Sequence, residues 1–323
     1  MTNSMFGEQS TTDEVLRDVD LTGKRVLVTG VSAGLGVETA RAAMAHGADV
    51  VGTARDVAKP EAACAAFRNT ETGSLDLIEL DLSSLASVRN CADRLIGTGK
   101  RFDVVIANAG VMALPFGKTA DGFEQQFGIN HLGHFVLINR IAPLLNTGGR
   151  LVMLSSRGHR VSDVDLEDPG FERTAYDPLI AYGRSKTANA LFAVEFDRRH
   201  RSREVRAAAL HPGGIRTELT RYMAPDVMQR LIEISTRFAQ AAGTTLKGLK
   251  TVEQGAATSV WAGFVAPAEE IGGRYCEDCH VADVIDSPAD AGVCQYAVDP
   301  ERAKALWARS EAMVQERFQE TAP

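Results

Sequence analysis

The chain has 323 residues, 45% of them apolar and 24% charged, enough for one large folded core and unlike collagenous, coiled-coil or disordered compositions. Its net charge of -7 argues against a nucleic-acid surface, which needs concentrated Lys and Arg, and it contains no apolar run of about 18 residues, as a membrane span requires. The polar, acidic start MTNSMFGEQSTTDEVLRDVD lacks a signal-peptide pattern and the five cysteines are scattered, so a cytoplasmic setting without disulfides is expected.

Residues 1–20 read as an N-terminal extension, in which Thr11 and Glu14 have the spacing of a capping box that opens a short helix. From residue 21 to 323 a single domain is expected. KRVLVTG, the first buried strand, runs into TGVSAGLG, which sets Gly30, Ser32, Ala33, Gly34, Leu35 and Gly36 at a turn and the start of a helix. Glycines there let the backbone approach a pyrophosphate, and the helix N-terminus offers free N–H groups and a positive dipole end. A tight strand-to-helix turn needs glycine in any case, so a purely structural role stays open at this point.

ADVVGTA, LDLIELD, FDVVIANAG, GRLVMLSS and EVRAAALHPG follow as further short apolar runs, each ended by a turn residue or, after ADVVGTA, by Arg55-Asp56. Between them lie LGVETARAAMAHG, SLASVRNCADRLIG, residues 123–145 and YGRSKTANALFAVEFDRRH, with apolar positions three and four apart. Strand and helix in alternation predict an α/β fold: a doubly wound (Rossmann) parallel sheet of about seven strands with helices on both faces.

Near the C-terminus, Cys276-x-x-Cys279-His280 has the spacing of a c-type haem attachment site, and Cys294 is near enough to suggest a zinc set. The cytoplasmic setting speaks against haem. Cys279 reads as a small buried residue. No metal is expected, and His131, His134 and His211 share no zinc spacing and read as packing or capping groups.

Several distant elements occur in one order: TGxxxGxG at residues 29–36, Asn108-Ala109-Gly110, Asn130 in INHLGHF, Ser155-Ser156, Tyr182 and Lys186 in AYGRSK, and HPGGIRT after the sixth strand. Over residues 20–220 the chain resembles the short-chain dehydrogenase/reductase superfamily. TTDEVLRDVDLTGK, the long interval from Ser156 to Tyr182, GGRYCEDC and AVDPERAKALWARSE resemble the branch that includes retinol dehydrogenases, WW-domain oxidoreductase and protochlorophyllide reductases.

The resemblance implies a catalytic set of Asn130, Ser156, Tyr182 and Lys186. Carbonyl reduction needs a hydride at carbon, which nicotinamide supplies, and a proton at oxygen. Tyr182 is expected to give the proton. A phenol has a pKa near ~10, so Lys186, on the same helix face, is expected to lower it and to bond the nicotinamide ribose. Ser156 is expected to orient the substrate oxygen, and Asn130 to hold water that links Lys186 to solvent.

The resemblance also assigns cofactor contacts to Asp81 and Leu82, to Asn108, Ala109 and Gly110, and to Pro212, Gly213, Ile215 and Thr217. An acidic residue after the second strand would bond both adenosine ribose hydroxyls; here Arg55 suits a 2′-phosphate, which favours NADP(H), with NAD(H) the alternative. Residues 218–250 are expected to form a lid, followed by a C-terminal segment at 265–323. In the lid, Tyr222, Met223, Met228, Leu231 and Ile232 either line an apolar pocket or pack a helix. His159 either meets substrate or lies on the surface.

The expected function is NAD(P)-dependent interconversion of an alcohol and a carbonyl on a bulky, apolar small-molecule substrate of aromatic, steroid or retinoid type. The alternatives are reduction of an activated C=C bond and a non-catalytic NADP-binding sensor or scaffold. Nucleic acid is not an expected partner; a homo-oligomer is left open.

Overall fold

All six apolar runs form strands in the computed structural model, which describes residues 5–68, 72–245, 248–286 and 291–319. Parts of the expected N-terminal extension, lid and C-terminal segment, at 1–4, 246–247, 287–290 and 320–323, lie outside the described residues. The strands are β1 (Arg25–Thr29), β2 (Asp49–Ala54), β3 (Ser74–Glu79), β4 (Phe102–Ala107), β5 (Leu145–Leu154) and β6 (Arg206–His211), joined by β7 (Arg274–Glu277) and β8 (His280–Val281). Among the described residues their order is β3-β2-β1-β4-β5-β6-β7-β8. The first seven pair in parallel, and the short β8 adds an antiparallel edge, so the sheet has one strand more than the expected seven.

That edge gives the Cys276-x-x-Cys279-His280 spacing its structural meaning. Asp278 and Cys279 both have left-handed backbone, φ 48° and 58°, and form the two-residue turn of the β7–β8 hairpin, in which Glu277 pairs with His280. Cys276 and Cys279 are both fully buried, and the Cys279 N–H donates to Thr258 Oγ1 at 3.2 Å. Burial pushes the Cys279 thiol up to about 11 and raises Cys276 further still. No three His, Cys, Asp or Glu side chains converge as metal ligands among the described residues.

The helices are α1 (Thr12–Leu16), α2 (Leu35–Ala45), α3 (Ala58–Arg68), α4 (Leu85–Gly97), α5 (Gln125–Phe127), α6 (Gly133–Ile141), α7 (Pro178–His200), α8 (Pro225–Ala241), α9 (Val252–Val260), α10 (Ala268–Ile271) and α11 (Pro300–Val314). The Thr11–Glu14 capping box is formed in both directions, and α1 lies against α9 and α2. Strand residues alternate between two cores. Leu27, Val105, Leu151 and Ala207 face α4, α6, α7 and α11, whereas Val26, Val28, Val104, Ile106 and Leu210 face α1, α2 and α9. This double burial explains why the strand sequences are continuously apolar rather than alternating. None of the described helices is long and apolar enough to cross a membrane.

The chain winds outward from β1 to β2 and β3 on one side, then returns to place β4 on the other. The connections diverge between the C-terminal ends of β1 and β4, which is where open α/β sheets form ligand crevices.

Candidate active site

A cleft of about 1620 Å³ opens at those strand ends. Its floor is the β1–α2 turn, where Gly30 and Gly34 have φ 78° and 61°. A Cβ on Gly30 would stand 2.9 Å from Ala109 Cα, and one on Gly34 would stand 3.3 Å from the Thr217 methyl. Ser32, Ala33, Gly34 and Leu35 all face the cleft, and no side chain caps the start of α2, so first-turn N–H groups are left for a ligand. Gly36 differs from the expectation. It does not line the cleft; a Cβ there would collide with the Gly30 carbonyl oxygen and stand 2.6 Å from Asn108 Nδ2. Its part is to let α2 pack against the turn.

Asn108 and Ala109 hold this turn from behind. Asn108 Nδ2 donates to the Thr29 carbonyl at 2.8 Å, and the Ala109 N–H donates to Thr29 Oγ1 at 3.0 Å. His134 Nδ1 lies 3.0 Å from the Asn130 carbonyl, which can only accept, so its Nε2 accepts from the Thr29 hydroxyl at 2.9 Å. Thr29, Ala109, Asn130 and His134 thus form one hydrogen-bonded chain. At the other end of the cleft, Ala54, Arg55, Asp81 and Leu82 line the wall, with Arg55 exposed at the rim. Asp81 Oδ1 accepts from the Ser83 N–H and hydroxyl at 2.9 and 2.7 Å, which fixes the turn after β3. Pro212, Gly213, Ile215 and Thr217 form the facing wall, and Gly110 closes the base.

At the end of β5, the two serines face opposite ways. Ser155 Oγ donates to the Lys186 carbonyl at 2.7 Å and is structural. Ser156 starts a short 3-10 turn and accepts from the Gly158 N–H at 3.0 Å, and it lines the cleft together with Tyr182. Tyr182 and Lys186 lie one turn apart on α7, with Lys186 Nζ 5.7 Å from the Tyr182 ring centroid. Burial pushes Tyr182 up to about 12, opposed by the Ser156 hydrogen bond, and pushes Lys186 down to about 8. Burial thus raises the phenol instead of the expected lowering by Lys186, whose Nζ donates to the Leu154 carbonyl at 2.9 Å.

Asn130 also differs from the expectation. It is fully buried in a π-helical turn at Gly128–Leu132, outside the cleft wall. Its Oδ1 accepts from the Val111 N–H, and its Nδ2 donates to the Val111 carbonyl and Ser185 Oγ, all within 2.9 Å. Both amide hydrogens are thereby committed to protein, and the side chain clamps the segment after β4 to α7.

The low-lying substrate assignments change most. His159 is completely buried and turned from the cleft: its ring meets Tyr275 Oη at 3.2 Å and accepts from the Cys294 N–H at 3.2 Å. It ties the C-terminal segment to the turn after β5. Met223 packs with Ala113, Leu179 and Val227 behind the cleft wall. Tyr222 does line the cleft, but it is exposed, with the Arg221 guanidinium over its ring. Met228, Leu231 and Ile232 line it from α8. His131 bonds Ser310 Oγ at 2.8 Å, and His211 accepts from the Arg157 N–H at 3.1 Å.

Sequence reasoning missed Lys250. It is almost buried in the cleft wall, pairs with Asp278 at 2.5 Å and runs under Gly213, whose φ of 102° and lack of a side chain admit it. A lone lysine in KGLKT carries no motif; only the pairing of Lys250 with Ile215 across the lid brings it there.

Residues 24–227 match the family model described as short chain dehydrogenase. Short-chain dehydrogenase/reductase prx1 of Penicillium roqueforti is 37% identical over 306 residues, covering 91% of this chain and 87% of that protein. Retinol dehydrogenase 14 of Homo sapiens is 36% identical over 310 residues, covering 90% and 86%. A solved structure of a protein from Mycobacterium paratuberculosis aligns with a TM-score of 0.72 at 32% identity, over 96% of this chain and 99% of that one.

Proposed function

The chain belongs to the short-chain dehydrogenase family, and from that premise we propose that it interconverts an alcohol and a carbonyl on a bulky apolar substrate, using NADP(H). The observation that carries this reading is the convergence of Ser156, Tyr182 and Lys186 at the wall of a cleft whose floor is a glycine turn and an uncapped helix start. The site suits a dinucleotide: side chains are absent where a pyrophosphate would lie against backbone, and Gly30 and Gly34 cannot take a Cβ without strain. Bound nicotinamide supplies the hydride that this chain's own residues cannot.

Ser156 Oγ holds the substrate oxygen, and Tyr182 Oη, on the same cleft wall, gives it a proton. A tyrosine pushed up to about 12 is fully protonated at neutral pH, which is the form needed for carbonyl reduction. Lys186 uses one N–H on the Leu154 carbonyl and keeps two for a ribose hydroxyl and for the developing phenolate. Leu179, Met112, Leu231, Ile234 and Phe238 give the reacting end an apolar wall, which supports an aromatic, steroid- or retinoid-like substrate.

The charge on Lys186 sets a pH dependence. Its pKa is down to about 8, so the ammonium is present below that pH and discharged above it, while Tyr182 keeps its proton throughout. Carbonyl reduction, measured as kcat/KM, should be flat below pH 8 and fall above it. A rate that rises through that window would remove Lys186 from the role. Cofactor choice depends on Arg55. Because it is exposed and screened, its contact should favour NADPH over NADH by only about 10-fold in kcat/KM. Arg55→Ala should erase that preference through weaker NADPH use alone; an unchanged ratio would show that Arg55 faces solvent. The reaction itself is tested by following NADPH oxidation against aliphatic, aromatic, steroid and retinoid ketones and aldehydes, with one enone included. Turnover of saturated carbonyls supports the reading, and turnover of the enone's C=C bond alone overturns it.

A further inference from the structure

Beyond the end of the sheet, one lysine takes over from the backbone. The β6–β7 ladder ends where His211 pairs with Glu277, and Pro212, which follows, has no N–H to carry it further. Lys250 spans the gap that opens there. Its N–H donates to the Gly214 carbonyl at 2.8 Å, beside its bridge to Ile215, and its stem lies against Gly213, where a Cβ would stand 2.7 Å from Lys250 Cδ. Nζ then reaches Asp278 Oδ1 at 2.5 Å in the turn of the β7–β8 hairpin.

Burial along this stretch runs against the usual order. Leu249 is 61% exposed, while the Lys250 side chain is only 6% exposed. A cation this well covered is costly unless it is paired, and Asp278 supplies the partner from a left-handed position, φ 48°, that favours Asp or Asn. Both ends of the contact are anchored on α9. Thr251, next to Lys250, forms a two-way capping box with Gln254, and the N–H of Cys279, next to Asp278, donates to Thr258 Oγ1 at 3.2 Å.

The segment gripped in this way is the cleft wall that faces the glycine turn. A Cβ on Gly255 of α9 would stand 2.6 Å from Ile215 Cγ1 and 2.8 Å from Leu35 Cδ2, and the Thr217 methyl lies over Gly34, so the wall is fitted closely to both α9 and the turn. We propose that Lys250 and Asp278 are a positioning pair, whose contact fixes residues 213–217 to the hairpin turn and so sets the width of the cleft across which a dinucleotide is held. This rests on the dinucleotide reading given above. It adds to that reading two residues that act through the wall and not on the reacting atoms.

Lys250→Met keeps the stem under Gly213 and removes the charge, and Asp278→Asn keeps a residue suited to the left-handed turn; each is compared with wild type and with the double variant. Hydrogen exchange of the free protein across residues 212–217, melting temperature, NADP+ affinity by calorimetry and single-turnover reduction of an aromatic ketone at saturating NADPH are measured. Lys250→Met should exchange about 10-fold faster along the wall, bind NADP+ about 10-fold more weakly and transfer hydride about 10- to 100-fold more slowly even when saturated. Asp278→Asn should shift all three in the same direction by less, since its side-chain oxygen still accepts from Nζ. The double variant should be no worse than Lys250→Met, as two halves of one contact require. A lower melting temperature with wild-type exchange, affinity and saturated rate would reduce the contact to an ordinary ion pair and overturn the proposal. Effects that add in the double variant would overturn it too, because Lys250 would then meet a ligand on its own. Wild type that binds NADP+ yet reduces no carbonyl overturns the reaction and leaves exchange and affinity to decide the pair, whereas wild type that binds no dinucleotide overturns both.

Discussion

Tyr182→Phe should bind the cofactor as wild type does and reduce carbonyls at least about 100-fold more slowly, the usual scale for a positioned acid. The ring itself is structural: a Cβ on Gly158 would stand 2.7 Å from Tyr182 Cε1, so the phenyl group is packed directly beneath the turn after β5. Phenylalanine keeps that packing and removes only the hydroxyl. Single-turnover rates and cofactor titration of the same preparation separate chemistry from binding. Near-normal turnover would mean that the proton comes from elsewhere, and loss of cofactor binding would mean that the ring, not the hydroxyl, had been disturbed.

Gly36→Ala should act on the opposite step. Its Cβ would fall on the Gly30 carbonyl oxygen and within 2.6 Å of Asn108 Nδ2, so the glycine turn must move away from α2. Neither obstacle is the flexible end of a long side chain. Overpacking of this kind typically costs about 1–3 kcal/mol. If the turn relaxes by leaving its ligand-binding shape, the same cost appears as roughly 5- to 150-fold weaker cofactor binding. Melting temperature and cofactor dissociation constant, measured together, check this; a variant with wild-type values for both would mean that the turn has room that the packing denies.

The strands and the cleft were legible in the sequence because double burial leaves continuous apolar runs, and because the residues at their ends are few and chemically specific. Ser156, Tyr182 and Lys186 could be read because two of them share a helix face and the third ends a strand. What one sequence could not carry was direction. Asn130 and Gly36 sit where the motifs put them, yet both face inward, since the hydrogen bonds that turn Asn130 toward Val111 and Ser185 come from segments 19 and 55 residues away. His159 gave no hint that a C-terminal segment more than 100 residues later would cover it. Lys250 has no pattern at all, because it reaches the cleft only through tertiary proximity. The cysteine pair carried a motif spacing that the β7–β8 hairpin turn produces for its own geometric reasons.

The central claim, hydride transfer to a carbonyl carbon at the Tyr182 site, is tested most directly by isotope tracing. Wild-type protein is given NADPH deuterated at the transferable C4 position together with a bulky aromatic ketone, and the product is examined by mass spectrometry and NMR. One deuterium at the carbinol carbon for each NADPH oxidised, greatly diminished in Tyr182→Phe, is the predicted result. Cofactor that binds but is never consumed by any carbonyl, or deuterium found only on the β-carbon of an enone, would contradict it.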